Sequence, residues 1–340
     1  MLSFFRWQPG EKHGTWIQAF ELPANGLHIP EEEVWWVDLE FPSEEEERLV
    51  FEKFMPVHVL TLEDVTKPRR DPDSPPHFPK VEEFADYLFV IANPLHPSHT
   101  APNGELAKTC GVVQLSAIIT HRLLITHHYE PLSAIADLSQ FLSRHTAQAG
   151  RGPDYLFHLV LDRLVDEFAP EVDRIVDRLD EIEVSVLTTP TQQLLTELVH
   201  LKRRVISLRK TLILMREVLA RLTRGEFELV DDREIAYYRN VYDHLVRYTE
   251  LIEGAREMTS DLMQTHLAAA SNKLNAIMKM LAMVSTVILP MSLIASIYGM
   301  NFEVLPETKW TYGYPFALGL MLLVAVLAIW VFRRQRWFER

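Results

Sequence analysis

One cysteine, Cys110, stands in a chain of 340 residues. A disulfide framework inside the chain is thereby excluded, and a lone thiol suits a reducing, cytoplasmic setting. The opening residues Met1-Leu2-Ser3-Phe4-Phe5-Arg6 lack the apolar core of a signal peptide, so the soluble part is expected to stay inside the cell. Basic excess is lacking too. The formal net charge is −13, and residues 1–100 carry 19 acids against 8 bases. Nucleic acid, which needs a basic surface, is therefore not an expected partner. Neither a P-loop, nor a dinucleotide-type glycine motif, nor a nucleophile constellation occurs. His96, His99, His121, His127 and His128 fall at no closed-zinc spacing and read as surface or hydrogen-bonded side chains. The sequence points away from an enzyme and from a bound cofactor.

Charge is missing from two long stretches near the C-terminus. Met280 to Tyr298 is nineteen residues without a charge, and a second such run extends from Tyr312 to Phe332. Each is close to the roughly 20 residues that a transmembrane helix needs. Lys273 and Lys279 precede the first run, while Arg333, Arg334, Arg336 and Arg340 follow the second. The link between them holds Glu303, Glu307 and only Lys309. By the positive-inside rule both termini are expected to be cytoplasmic, with the link outside, in a multi-pass protein of the cell (inner) membrane.

The first run is not uniformly apolar. Steps of three and four place Asn275, Met278, Ala282, Ser285, Leu289, Ser292 and Ser296 on one helical stripe. The opposite stripe reads Ile277, Met280, Val284, Val287, Met291, Ile294 and Tyr298. Small and hydroxyl residues on one face serve either close helix packing or a water-filled path. The amides Asn275 and Asn301, one at each end, favour the path.

Upstream, residues 1–150 read as a mixed α/β cytoplasmic domain. Strands are expected at Val34–Leu39, Tyr87–Ala92, Val112–Ile119 and Leu123–His127, the last two as a β-pair. A helix is expected over Glu44–Phe54 with Ser43 as its N-cap. Proline-dense loops are expected over Pro68–Pro79 and Pro94–Gly104. Residues 151–230 read as a helical hairpin. Asp154–Leu187 carries ten acids against three bases and a kink at Pro170; Thr191–Arg224 carries eight bases against two acids. The two helices are expected to lie antiparallel with complementary charge. A stalk helix is expected over 231–279, running straight into spans over 280–298 and 312–332. The outer loop is 299–311 and the basic tail 333–340.

Tyr298-Gly299-Met300-Asn301-Phe302-Glu303, Leu305-Pro306-Glu307 and Tyr312-Gly313-Tyr314-Pro315 together resemble the CorA family of divalent-cation channels. Its Gly-Met-Asn signature lies between two C-terminal spans. Asp243-His244, Ser271-Asn272-Lys273-Leu274-Asn275, Pro79-Lys80-Val81-Glu82-Glu83-Phe84 and Trp36-Val37-Asp38-Leu39 extend the resemblance over nearly the whole chain. It implies an α+β cytoplasmic domain, a mixed sheet with flanking helices, followed by long helices and a two-span hairpin in a funnel-shaped homopentamer. It also implies a Mg²⁺ channel that passes Co²⁺ and Ni²⁺ and takes Mg²⁺ as both transported and regulatory ion.

Site roles follow from that resemblance. Gly299, Met300 and Asn301 would form the selectivity filter. Asn275, Met278, Leu281, Ser285, Leu289, Ser292 and Ser296 would line the pore, with Leu289 where the family pattern expects methionine and Ser292 where it expects threonine. Glu303 and Glu307 would attract cations outside, and Arg333, Arg334 and Arg336 would ring the inner opening. Regulatory Mg²⁺ would be held by Asp243 or Glu234 with Glu82, Glu83 or Asp86. Asn240 stands where the family carries an acid. Two alternatives remain at this point: a ZntB-like zinc transporter, against which Met300 counts, and a membrane-anchored cytosolic sensor or scaffold, which has no use for a polar stripe.

Overall fold

A computed structural model describes residues 2–9, 15–17, 29–71, 75–96, 111–188, 191–300, 310–335 and 337. Two compact units emerge: residues 1–185 with 191–263, and residues 186–190 with 264–340.

The first unit is built on a seven-stranded sheet in the order β2-β1-β3-β7-β6-β5-β4. The strands are β1 Leu2–Trp7, β2 Thr15–Ile17, β3 Val34–Glu40, β4 Lys80–Glu83, β5 Leu88–Ala92, β6 Leu115–Ile119 and β7 Leu123–His128. Only β3 and β7 pair in parallel, with Val37 opposite Ile125 and Glu40 opposite His128. The expected β-pair is therefore present, antiparallel, with Ile118 opposite Ile125. Its first strand begins at Leu115 rather than Val112, which instead forms an isolated bridge with Leu95.

Side chains alternate across the sheet. On one face Phe4, Val37, Leu39, Ile118 and Ile125 close a core with Phe51, Phe54 and Val65. Burying one such phenylalanine stabilises the fold by about 2–3 kcal/mol. Phe51 and Phe54 arrive on the expected helix, which starts as α1 (Glu44–Arg48) and widens into a π-helical turn over Leu49–Phe54. Ser43 caps it, and Glu46 reaches back to complete a capping box. The opposite face meets α3 (Ser133–Arg144) and α4 (Pro153–Asp166).

Several elements depart from the sequence expectations. Helix α2 (Val59–Arg70) takes Pro68 into its last turn, so the loop begins later than expected. Pro68 has no N–H for the Asp64 carbonyl; Gln114 Nε2 donates to that oxygen at 2.9 Å instead. β1, β2 and β4 arise where no strand was expected. The single helix expected over Asp154–Leu187 is two, α4 and α5 (Ala169–Thr188). Pro170 does not kink a continuous helix; it sits in the first turn of α5, where no intrahelical donor is needed.

Helix α6 (Gln192–Leu222) returns against α5. Charge complementarity between the two is realised by Arg178 Nε to Glu197 at 2.6 Å and Arg204 Nε to Glu171 at 2.6 Å. The last two helices are α7 (Ile235–Tyr298) and α8 (Gly313–Arg334). At 64 residues, α7 is about 100 Å long, and Pro290 lies within it without ending it. Both helices contain a stretch long and apolar enough to cross a membrane.

Candidate cation pathway

In the second unit, α8 lies along one face of α7. Met280, Met283, Val284, Val287 and Ile288 line a cavity with Ile329 and Phe332 of α8. Nearer the C-terminal end of α7, Ala295, Tyr298 and Gly299 share another with Trp310, Ala317 and Leu318. Of the apolar stripe, Val287, Met291, Ile294 and Tyr298 are half-buried, while Ile277, Met280 and Val284 stay exposed. Asn275, Met278, Leu281, Ala282, Leu289, Ser292 and Ser296 all remain exposed, and Ser285 is half-buried. Leu289 is 67% exposed, against 59% for Met280 and 49% for Val284 on the opposite stripe. An exposed polar stripe on a membrane-spanning helix needs either a second copy or water.

The helix ends at the signature. Gly299 donates to the carbonyls of Ala295 and Ser296 at 3.0 and 3.2 Å. A Cβ at this position would stand 3.2 Å from the Ala295 carbonyl oxygen. Close approach to the helix end, rather than a left-handed backbone, is what favours glycine here. Met300 is exposed. Asn301, Glu303 and Glu307 lie outside the described residues, as does Arg336.

Aromatic and basic side chains mark the two ends of the hairpin. Trp310 contacts Tyr312 edge-on at 6.2 Å and Phe316 at 5.7 Å. At the opposite end Lys279 Nζ lies 5.5 Å over Trp337 and the Arg334 guanidinium 5.4 Å over Trp330. Arg333 and Arg334 are exposed. Aromatic rings at both interfaces with cations at one are the pattern of a bilayer-spanning pair.

The candidate regulatory acids are held separately within one chain. Glu234 is buried and spent on Arg151, which reaches both its carboxylate oxygens at 2.8 and 2.7 Å. Arg151 also lies between Tyr155 and Tyr237, 3.9 and 4.5 Å from their ring centres. Burial raises the Glu234 carboxyl above its ordinary value against the pull of Arg151. Glu82 accepts from Lys80 at 2.9 Å, and Lys80 also binds Asp64. Glu83, Asp86, Asn240 and Asp243 are exposed.

A further group escaped the sequence. Asp162 and Asp166 of α4 meet His244 of α7, one ligand atom from each lying within 4.8 Å of the others. His244 Nδ1 is 3.4 Å from Asp166. Burial and the neighbouring Asp166 push the Asp162 carboxyl up, as expected where acids crowd without a cation. The spacing of Asp162 and Asp166, one helical turn apart, was visible beforehand; their meeting with α7 is tertiary. His127 and His128 are buried and hydrogen-bonded, to Glu47 at 3.1 Å and to Asp38 at 3.3 Å.

Known proteins extend these observations. The chain is 30% identical over 285 residues to the "Cobalt/magnesium transport protein CorA" of Thermotoga maritima, covering 84% of this chain and 78% of that protein. It is 32% identical over 319 residues to the "Putative metal ion transporter YfjQ" of Bacillus subtilis, covering 94% of each. In fold it matches the complete CorA magnesium transporter of Methanocaldococcus jannaschii with a TM-score of 0.79 at 22% identity, over 98% of both chains. The ZntB cytoplasmic domain of Vibrio parahaemolyticus matches with 0.61 at 15% identity, over 80% of this chain and 99% of that one; at that identity the likeness is one of fold alone. The description "CorA-like Mg2+ transporter protein" fits residues 31–334, and with nine-tenths of its length so matched the chain belongs to the CorA-like transporter family.

Proposed function

We propose that this chain is one subunit of a homopentameric channel for hydrated Mg²⁺, also passing Co²⁺ and Ni²⁺. The observation that carries the reading is the exposed stripe Asn275, Met278, Leu281, Leu289, Ser292 and Ser296, none of which lines the two cavities that α7 shares with α8. A single hairpin cannot enclose a pore, so the stripe needs several copies around an axis. It contains no carboxylate. That suits an ion that sheds water reluctantly, because amide and hydroxyl oxygens accept hydrogen bonds from its water shell without stripping it. Leu281, Leu289 and Met278 supply apolar rings that gate by dewetting.

In this reading Asn301 forms the outer ring of the filter with Gly299 and Met300. Glu303 and Glu307 concentrate cations outside. Arg333, Arg334 and Arg336 ring the inner opening, both termini are cytoplasmic, and the membrane is the cell's inner one. Intracellular Mg²⁺ regulates closure through Asp243 with Glu82, Glu83 or Asp86 of a neighbouring subunit. Glu234 is the weaker choice, since Arg151 already neutralises it.

The deciding experiment is Mg²⁺ entry into proteoliposomes loaded with a Mg²⁺-sensitive dye, comparing wild type with Asn301→Ala. Entry in the wild type and its loss in the variant, with the pentamer intact on sizing, is the expected result. Zn²⁺ entry without Mg²⁺ entry would move the assignment to the zinc transporter. Silence towards every ion from folded protein would sink the channel reading.

A further inference from the structure

The cavity that Met283, Val284 and Val287 of α7 share with Ile329 and Phe332 of α8 has a volume of about 400 Å³ and only apolar residues in its lining. From Met280 to Ile288 it follows α7 for about 12 Å. Val287 comes nine residues after Met278, about two and a half helical turns. The cavity therefore lies on the side of α7 opposite the polar stripe, where bilayer lipid rather than pathway water reaches it.

One end of this cavity is cationic. Phe332 is buried and stacks on Trp337 with ring centres 5.2 Å apart, and Lys279 Nζ lies 5.5 Å over the Trp337 ring. The ammonium is thus held beside the apolar lining by a cation–π contact. Lys279 shares its helix face with Met283, one turn on. Lys273 stands seven positions before Met280, two turns away on the same face. On α8, Arg333 follows Ile329 by one turn and is exposed. No acid answers these cations among the described residues of the hairpin, since 264–300 and 310–337 contain neither Asp nor Glu. The concentration of positive charge here runs against a whole-chain net charge of −13.

An apolar groove that ends in cations without carboxylate partners selects an amphiphile with an anionic head. Free phosphate would meet the cations and leave the groove unused. A zwitterionic phospholipid brings its own ammonium and gains less from the lysines. An acidic peptide would carry unsatisfied backbone groups into hydrocarbon.

We propose that this cavity holds an acyl chain of an anionic phospholipid, against Met283, Val287 and Phe332, with the lipid phosphate at Lys279. Lys273 and Arg333 add positive potential at the same end of the hairpin. The proposal rests on the hairpin crossing a bilayer, and not on which ion the pathway carries.

The test is native mass spectrometry of the full chain in detergent, with equal amounts of phosphatidylglycerol and phosphatidylcholine of matched acyl chains. A preference for phosphatidylglycerol of at least about tenfold is expected, from two or more basic side chains near its phosphate. Lys279→Gln should reduce that preference about fivefold. Val284→Trp, which fills the groove, should abolish it while the oligomeric mass stays that of the wild type. Excess inorganic phosphate should leave the lipid bound. Equal retention of the two lipids by the wild type overturns the proposal, as does a preference unchanged by either substitution. Displacement by inorganic phosphate would also overturn it, by making the head group alone the ligand. A changed oligomeric mass in Val284→Trp would do so by assigning the groove to a second copy of the chain. Dye-reported Mg²⁺ entry by the same wild-type preparation tests the channel reading separately, so that either can fail alone.

Discussion

Arg204 of α6 holds Glu171 of α5 in an ion pair with both side chains almost fully shielded, at 1% and 0% exposure. Arg174 adds a second cation on Glu171 at 3.1 Å, reaching in from the surface. A charge so buried is tolerated only while its partner remains. Arg204→Ala is expected to destabilise the cytoplasmic unit by about 3–5 kcal/mol, seen as a large drop in the thermal midpoint of purified protein. The double variant Arg204→Met with Glu171→Met removes both charges and should recover most of that loss. If Arg204→Ala and the double variant are equally destabilised, the pair is not what holds α5 to α6.

The pH response of the same unit should depend on His158. Burial, and then the nearby Arg151 guanidinium, depress this imidazole to about 4, and its Nδ1 has no hydrogen-bond partner. Its surroundings are the rings of Tyr155, Tyr237 and Tyr238. The unfolded chain binds a proton here at about pH 6.5, whereas the fold resists it until about 4. Stability therefore falls as pH drops through that window, by at most about 2–3 kcal/mol from this group. His158→Phe keeps an aromatic ring without the proton site. The difference in stability between variant and wild type should grow from pH 7 to pH 4.5. His128 works in the opposite sense. Burial opposes its charge, but Asp38 raises it above the ordinary imidazole value, so its contribution is present at low pH and lost as pH rises through its folded value. A flat difference between His158→Phe and wild type would contradict the assignment.

The membrane hairpin was legible because its signals are one-dimensional. A charge-free run of the right length, flanked by Lys279 on one side and Arg333 on the other, needs no tertiary context. The length of α7 was equally plain from the scarcity of glycine and proline between Asp231 and Tyr298. Boundaries inside the sheet unit were harder. β4, Lys-Val-Glu-Glu, is a charged edge strand whose pairing with β5 decides its state. Pro68 looked like a helix breaker because nothing in the local sequence shows Gln114 repairing the vacant carbonyl from 46 positions downstream. Helical spacing carries on across the break between α4 and α5, so Pro170 gave only its usual double message of kink or first turn. The stripe of α7 was read from periodicity alone. Its exposure, and the half-burial of Val287, Met291 and Ile294 on the opposite stripe, required the fold. The same holds for Asp162, Asp166 and His244, which lie on helices far apart in sequence.

The strength of the proposed Mg²⁺ regulation is tested at Asn240. This amide is exposed on α7, one turn before His244 and three residues before Asp243. Residues four apart share a helix face, so an acid at 240 would join the side of α7 on which His244 meets Asp162 and Asp166. A neutral amide binds a hard divalent ion less well than a carboxylate does, because affinity rises with the number of charged ligands. Closure by intracellular Mg²⁺ should accordingly be weak in the natural sequence. Asn240→Asp is expected to lower the Mg²⁺ concentration for half-closure by about tenfold, equivalent to roughly 1.4 kcal/mol of added ion affinity. The measurement is Mg²⁺ protection of the purified protein against a protease, alongside dye-reported entry into proteoliposomes at graded internal Mg²⁺. Both midpoints should move together. An unchanged midpoint in Asn240→Asp would show that this position takes no part in sensing, and would leave Asp243 with the acids around β4 as the sensor.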